Sequence, residues 1–237
     1  GDWCGSDWPL CDGAALPSAP EFSTLVELSH RITSGVVLLL VIVLLLAAFR
    51  AYPRGHAVRK GAGATLVLTL TESLFGAILV VFGWVAGDVS TGRILIRPVH
   101  VTNTFLLMAA LALTAWWATR GVQRLPLART RTPPAPGVRP LILPLLGVMA
   151  LAWTGAWTGL AVTAFPAATL EEGIGQYLDP EHLLISLRML HPVLAILVVA
   201  LLLRYAGRTM VLGRDRGDRG LLRLGAGVGV LAGVGVG

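Results

Sequence analysis

The feature that most constrains this chain is the length of its uncharged apolar runs. Ser34–Phe49 is sixteen residues without a charge, and Pro98–Thr119 is twenty-two residues with a single histidine as its only titratable side chain. Thirty-one residues, Pro140–Leu170, follow Arg139 before the next acid or base. About 20 apolar residues cross the roughly 30 Å of bilayer hydrocarbon. A core helix of a soluble protein would interrupt such runs with a polar stripe. The composition agrees: 55% of residues are hydrophobic, 14% are charged and mean hydropathy is +0.75. The expected fold class is therefore an all-α, polytopic transmembrane bundle embedded in the lipid bilayer. Spans are expected at roughly 22–49, 64–86, 98–119, 141–163 and 183–206. A sixth apolar stretch starts near Leu221 and is too short to cross before Gly237, so the chain is expected to end inside a helix.

The net charge of +6 does not make this a nucleic-acid-binding protein, because the basic residues form no single patch. Fifteen of the 19 lie in or beside three loops, after the first, third and fifth spans: Arg50 to Lys60, Arg120 to Arg139 and Arg204 to Arg223. The intervening loops carry Asp2, Asp7, Asp12, Asp88, Glu171, Glu172, Asp179 and Glu181 against Arg93 and Arg97. Basic loops mark the cytoplasmic side, so residues 1–21 are expected on the outer face of a cell membrane. An outer N-terminus needs something to carry it across. Residue 1 is Gly and no signal-peptide core precedes it, so at least one earlier span is expected. The outer compartment is oxidising, and Cys4 and Cys11 can form a disulfide there. That disulfide reads either as a structural clasp or as an exchangeable redox pair.

Ionisable side chains inside a span are costly and point to function. Glu27, His30 and Arg31 lie about two turns into the first span, with Glu27 and His30 on one face. The plainer alternative is that Glu27 only pairs with Arg31. His100 opens the third span. His191 lies in the fifth, with Arg188 three residues earlier. All three histidines fall within about two turns of the outer ends of spans that run in the same direction. Imidazoles at one depth, with no thiolates beside them, suit haem iron, and an arginine one turn away suits a haem propionate. His56 and His182 read as solvated or interfacial. Glu72 has no partner that the sequence identifies.

CGSDWPLCDG followed by ELSHR resembles the first outer loop and second helix of the haem A synthase family, and HVTNTFLL and LRMLHPVLA resemble its fourth and sixth helices. The resemblance runs over nearly the whole chain. It implies eight spans in two pseudo-symmetric four-helix halves, of which the first and last helices are missing from this chain. Residues 1–119 would form the N-terminal half, 120–140 a cytoplasmic basic linker and 141–237 the C-terminal half. The family oxidises the C8 methyl group of haem O to a formyl group, giving haem A for terminal oxidases. By this resemblance His30 and His100 would hold haem O as substrate and Glu27 would be the catalytic carboxylate. His191 would be an axial ligand of a haem b cofactor, and Arg31 and Arg188 would bind the haems. A haem O synthase and an unidentified electron acceptor are the implied partners, and association with further copies of the chain is left open. Two departures stand out. Residues 164–182 lack the second cysteine pair of some relatives, and the eighth-helix histidine is not in this sequence. A haem carrier, a di-haem electron relay and a membrane thiol oxidoreductase are the competing readings. A relay would need ligands at both leaflets, and a thiol enzyme would need a second redox pair.

Overall fold

The computed structural model describes Cys4, Leu10, Cys11, Gly13, Ala14 and residues 21–85, 88–123 and 139–234. The described residues form helices α1 (Phe22–Ala51), α2 (Ala57–Val81), α3 (Thr91–Arg120), α4 (Arg139–Ala164), α5 (Leu170–Leu178), α6 (Leu183–Arg188), α7 (Leu190–Arg216) and α8 (Arg219–Val234). Among them only Cys11 and Ala14 form a β-bridge. Five stretches are long and apolar enough to cross a membrane: α1, α2, α3, Pro140–Ala164, and Leu183–Arg216. Only 11–22% of each apolar window is buried inside the protein. The remaining apolar surface faces outward, as it does when lipid is the solvent. This is a multi-pass membrane protein.

Most span ends lie beyond their expected positions because a helix does not stop where the hydrocarbon does, whereas α2 runs over Ala57–Val81 in place of the expected 64–86. At 1.5 Å per residue, the 30 residues of α1 or α3 reach about 45 Å, well beyond the apolar slab. Local caps set the true ends. The His56 Nδ1 accepts the Val58 N–H at 3.2 Å and starts α2 earlier than hydropathy suggests. His56 is therefore buried, 6% exposed and against Tyr52, rather than solvated as expected. The Ser90 hydroxyl opens α3 in the same way. Within 164–182, expected as a loop, lies α5. Thr169 caps the Glu172 N–H while the Glu172 carboxylate accepts from the Ala168 N–H at 2.8 Å. That reciprocal arrangement makes TLEE a variant of a capping box.

The chain divides into two compact units, residues 1–129 and 130–237. In the first, α1 and α3 both pack on α2. Ala48, Val58 and Ala62 form the α1–α2 contact, with Leu44, Leu45, Tyr52 and Trp117 around them. In the second, α7 packs on α4 and turns back into α8 through Gly217, whose φ of 64° few other residues adopt. Gly225 of α8 lies so close to α7 that a Cβ there would come within 2.8 Å of the Ala206 carbonyl. Small residues permit such backbone approach in lipid.

Candidate functional site

In the first unit the N-terminal loop is fastened to α1. Cys4 and Cys11 are disulfide-bonded and fully buried. They cluster with Leu28, and the Cys4 sulfur lies 3.9 Å from the Thr24 carbonyl oxygen. Thr24 and Leu28 are one helical turn apart, so the disulfide rests on one stripe of α1. Arg31, almost a turn further on, donates to the Leu10 carbonyl and pairs with Glu27 at 2.7 Å. Glu27 and Arg31 thus form an ion pair across one turn of α1. Arg31 also ties the helix to the cysteine loop. His30 is exposed on the surface of this unit.

Glu72 turns out to have several partners. The Asn103 amide on α3 donates to its carboxylate at 2.6 Å and to the Leu68 carbonyl at 2.8 Å. The Thr71 hydroxyl donates to the Asn103 side-chain carbonyl at 2.8 Å, and Thr104 donates to the second carboxylate oxygen. Leu68, Thr71 and Glu72 share one face of α2, and Asn103 is buried against it. The first Glu72 oxygen also lies 3.4 Å from His100 Nδ1. That is an ion-pair separation, longer than a good hydrogen bond, and the buried Nδ1 has no hydrogen-bond partner. Buried Pro98 lies two residues before His100. As a proline it has no N–H to contribute to the helix ladder. His30 and Arg97 both lie within electrostatic reach of His100. Glu72 on α2 is thus the charged side chain that stands against the His100 ring.

In the second unit the His191 Nδ1 lies 3.1 Å from the Thr154 hydroxyl on α4. That hydroxyl also points at the Ala150 and Leu151 carbonyls. The ring packs closely on Gly155, where a Cβ would stand 3.1 Å from His191 Cε1. Pro192 explains the break between α6 and α7. It has no N–H to offer the Arg188 carbonyl, and the helix is interrupted at Met189. Arg188 is buried, 8% exposed, over the Tyr177 ring at 4.4 Å and 3.2 Å from the Gln176 side-chain oxygen. Its Nε has no hydrogen-bond partner. α5 thus supplies the immediate surroundings of Arg188. His182 caps α6 through the Leu184 N–H at 3.1 Å.

The three histidines stand eight, nine and eight residues after the first residue of their own spans, about 12–14 Å along each helix. Both His100 and His191 have Nδ1 turned toward a polar group on the neighbouring helix. An apolar groove of about 290 Å³ also lies in the first unit, lined by residues such as Leu44, Ala48, Val58, Leu111 and Ala115. None of the candidate histidines or carboxylates is among the residues that line it.

Residues 4–237 match the family model described as cytochrome oxidase assembly protein. The chain belongs to that family. Among curated relatives, a protoheme IX farnesyltransferase of Thermus thermophilus is 47% identical over 199 residues, covering 84% of this chain and 32% of that protein. A heme A synthase of Alkalihalophilus pseudofirmus is 37% identical over 83 residues, 35% of this chain and 28% of the relative. A heme A synthase of Exiguobacterium is 39% identical over 82 residues, covering 35% and 27%. The chain thus spans about a third or less of the curated relatives it matches. No solved structure matches. Membership in the family agrees with the resemblance read from the cysteine loop and the histidine motifs.

Proposed function

We propose that this chain is the haem-handling part of a haem A synthase, which oxidises the C8 methyl group of haem O to a formyl group. His30 and His100 would hold haem O as substrate in the first unit, and His191 would hold a b-type haem in the second. The observation that carries this reading is the orientation of the imidazoles. Nδ1 of His100 and of His191 is turned to a neighbouring helix, which leaves Nε2 available for iron. Orientation of a ligating histidine through its other nitrogen is the usual way a protein prepares it. Two further features fit the same group. Gly155 lets the His191 ring pack on α4 where a Cβ would crowd it. Arg188 holds a buried guanidinium nitrogen with no hydrogen-bond partner, suited to a propionate. When bound, haem supplies the redox chemistry, and the protein supplies position and electrostatics.

The conversion of CH3 to CHO with oxygen taken from one water releases four electrons and four protons. A proton acceptor and an external electron acceptor are both required. Glu27 is the carboxylate we assign to the proton, held by Arg31. The Thermus relative carries a protoheme farnesyltransferase name, which supports a haem O synthase as the partner that delivers substrate. In this reading residues 1–21 face outside and the arginine loops face the cytoplasm, which the alternation of basic loops supports. Burial of Cys4 and Cys11 against α1 favours a structural clasp over an exchangeable pair.

The test is to purify the complete protein from membranes that make haem O, and to record haem content and iron spectra for single histidine variants. His30→Ala and His100→Ala should each remove haem O and spare the b-type signal, while His191→Ala does the reverse. Unchanged haem content in all three variants would refute the assignment. A carrier that binds haem without transforming it would keep the same ligands and return haem O unaltered.

A further inference from the structure

Glu72 has no role in the function proposed so far, yet it sits inside a membrane span, where an acidic group is costly unless something requires it. Three α3 side chains surround it. Asn103 donates at 2.6 Å, Thr104 donates to the other oxygen, and His100 Nδ1 is 3.4 Å away. Asn103 is itself fixed by the Leu68 carbonyl and the Thr71 hydroxyl. The carboxylate therefore has little freedom to turn elsewhere. A simple helix clasp would be complete with Asn103 and Thr104 alone. The imidazole is the group left over: its Nδ1 is buried and lacks a hydrogen bond, and Glu72 is the acceptor beside it.

We infer that Glu72 is a positioning residue for His100, accepting the Nδ1 proton so that Nε2 is presented to iron. This rests on the reading of His100 as a haem ligand. The separation has to close by a few tenths of an ångström, which a small rotation of the ring supplies. Hydrogen bonds of this kind are often long in the unliganded protein and tighten on binding. The second unit offers a comparison. His191 meets the Thr154 hydroxyl at 3.1 Å rather than a carboxylate. A carboxylate at Nδ1 raises the basicity of the ligating nitrogen more than a hydroxyl does. His100 is thus the stronger donor of the two, and iron bound there is favoured in its oxidised state.

The inference is tested on Glu72→Leu and Glu72→Gln with two measurements. Nitrogen-15 histidine spectra of the haem-free protein in detergent report which ring nitrogen carries the proton. Redox titration of the haem-loaded protein reports the midpoint potential. Wild type should show His100 protonated at Nδ1, and Glu72→Leu should shift the proton toward Nε2 and weaken haem binding at His100 about 10–100-fold. Glu72→Gln keeps an acceptor oxygen, so the tautomer and affinity should largely survive while the potential rises. An unchanged tautomer in Glu72→Leu, or a potential in Glu72→Gln equal to wild type, would overturn the inference. Failure of the haem reading would look different: His100→Ala would leave haem content intact, and the tautomer spectra would still decide whether Glu72 acts on the imidazole.

Discussion

Arg31 and Glu27 form an ion pair at 2.7 Å across one turn of α1, and both side chains are more than nine-tenths buried. Arg31 also reaches the Leu10 carbonyl between the two cysteines. The proposed catalytic carboxylate is thereby linked to the cysteine loop through a single guanidinium. Removing one member of a buried pair strands the other, at about 3–5 kcal/mol. Glu27→Ala should therefore lower the thermal stability of the purified protein and abolish conversion of haem O, while haem binding largely persists. Glu27→Gln, which keeps a partner for Arg31, should abolish conversion with a smaller stability loss. Full turnover in Glu27→Gln would remove Glu27 from its assigned role.

The Cys4–Cys11 disulfide closes a small loop over Thr24 and Leu28. For a loop of this size the chain-entropy model gives about 2–3 kcal/mol. Cys4→Ser with Cys11→Ser should lower the melting temperature by a corresponding amount and leave the haem spectra nearly unchanged. Because the cysteines are buried, mild reductant should not open the native disulfide, as thiol alkylation followed by mass spectrometry would record. Rapid reduction of the folded protein would favour the redox-active alternative instead.

Gly155 offers a paired test. Its neighbour on the same helix, Gly159, has nothing within 4 Å of where a Cβ would stand. Gly155→Ala should tilt the His191 ring and perturb the b-type haem spectrum and its potential, with a stability change within about 1 kcal/mol. Gly159→Ala should leave both unaltered. Identical spectra in the two variants would argue against close packing of His191 on α4.

Pro192 separates α6 from α7 by denying the Arg188 carbonyl its helical donor. An interior proline costs a helix about 3 kcal/mol. Pro192→Ala should join the two segments, raise stability and turn Arg188 away from Tyr177 and Gln176. The expected result is a higher melting temperature together with weaker haem retention in the second unit. A more stable protein with undiminished haem would separate the kink from the site.

Much of this was legible in the sequence, for identifiable reasons. Uninterrupted apolar runs dictate membrane helices, and the spacing of His30, His100 and His191 along their spans follows from helix rise alone. The partners across helices were not legible. Asn103 and Thr104 stand one turn beyond His100 in HVTNTF, but nothing in that motif says that they meet Glu72 rather than lipid. The pairing of α2 with α3 decides it. Likewise Thr154 and Gly155 look like ordinary small residues of a span until α7 is packed on α4. His56 was misread because a histidine among arginines suggests solvent, whereas its Nδ1 caps α2. The TLEE cap of α5 is written in the sequence, but it is a short signal inside a segment dominated by loop residues.

The most direct test of the account is the product itself. The complete protein is expressed in membranes that supply haem O, and extracted haem is identified by chromatography and mass spectrometry. The account requires haem A or its hydroxymethyl precursor from the wild type, and neither of these from His100→Ala. Unmodified haem O from the wild type, or undiminished haem A from His100→Ala, would contradict it.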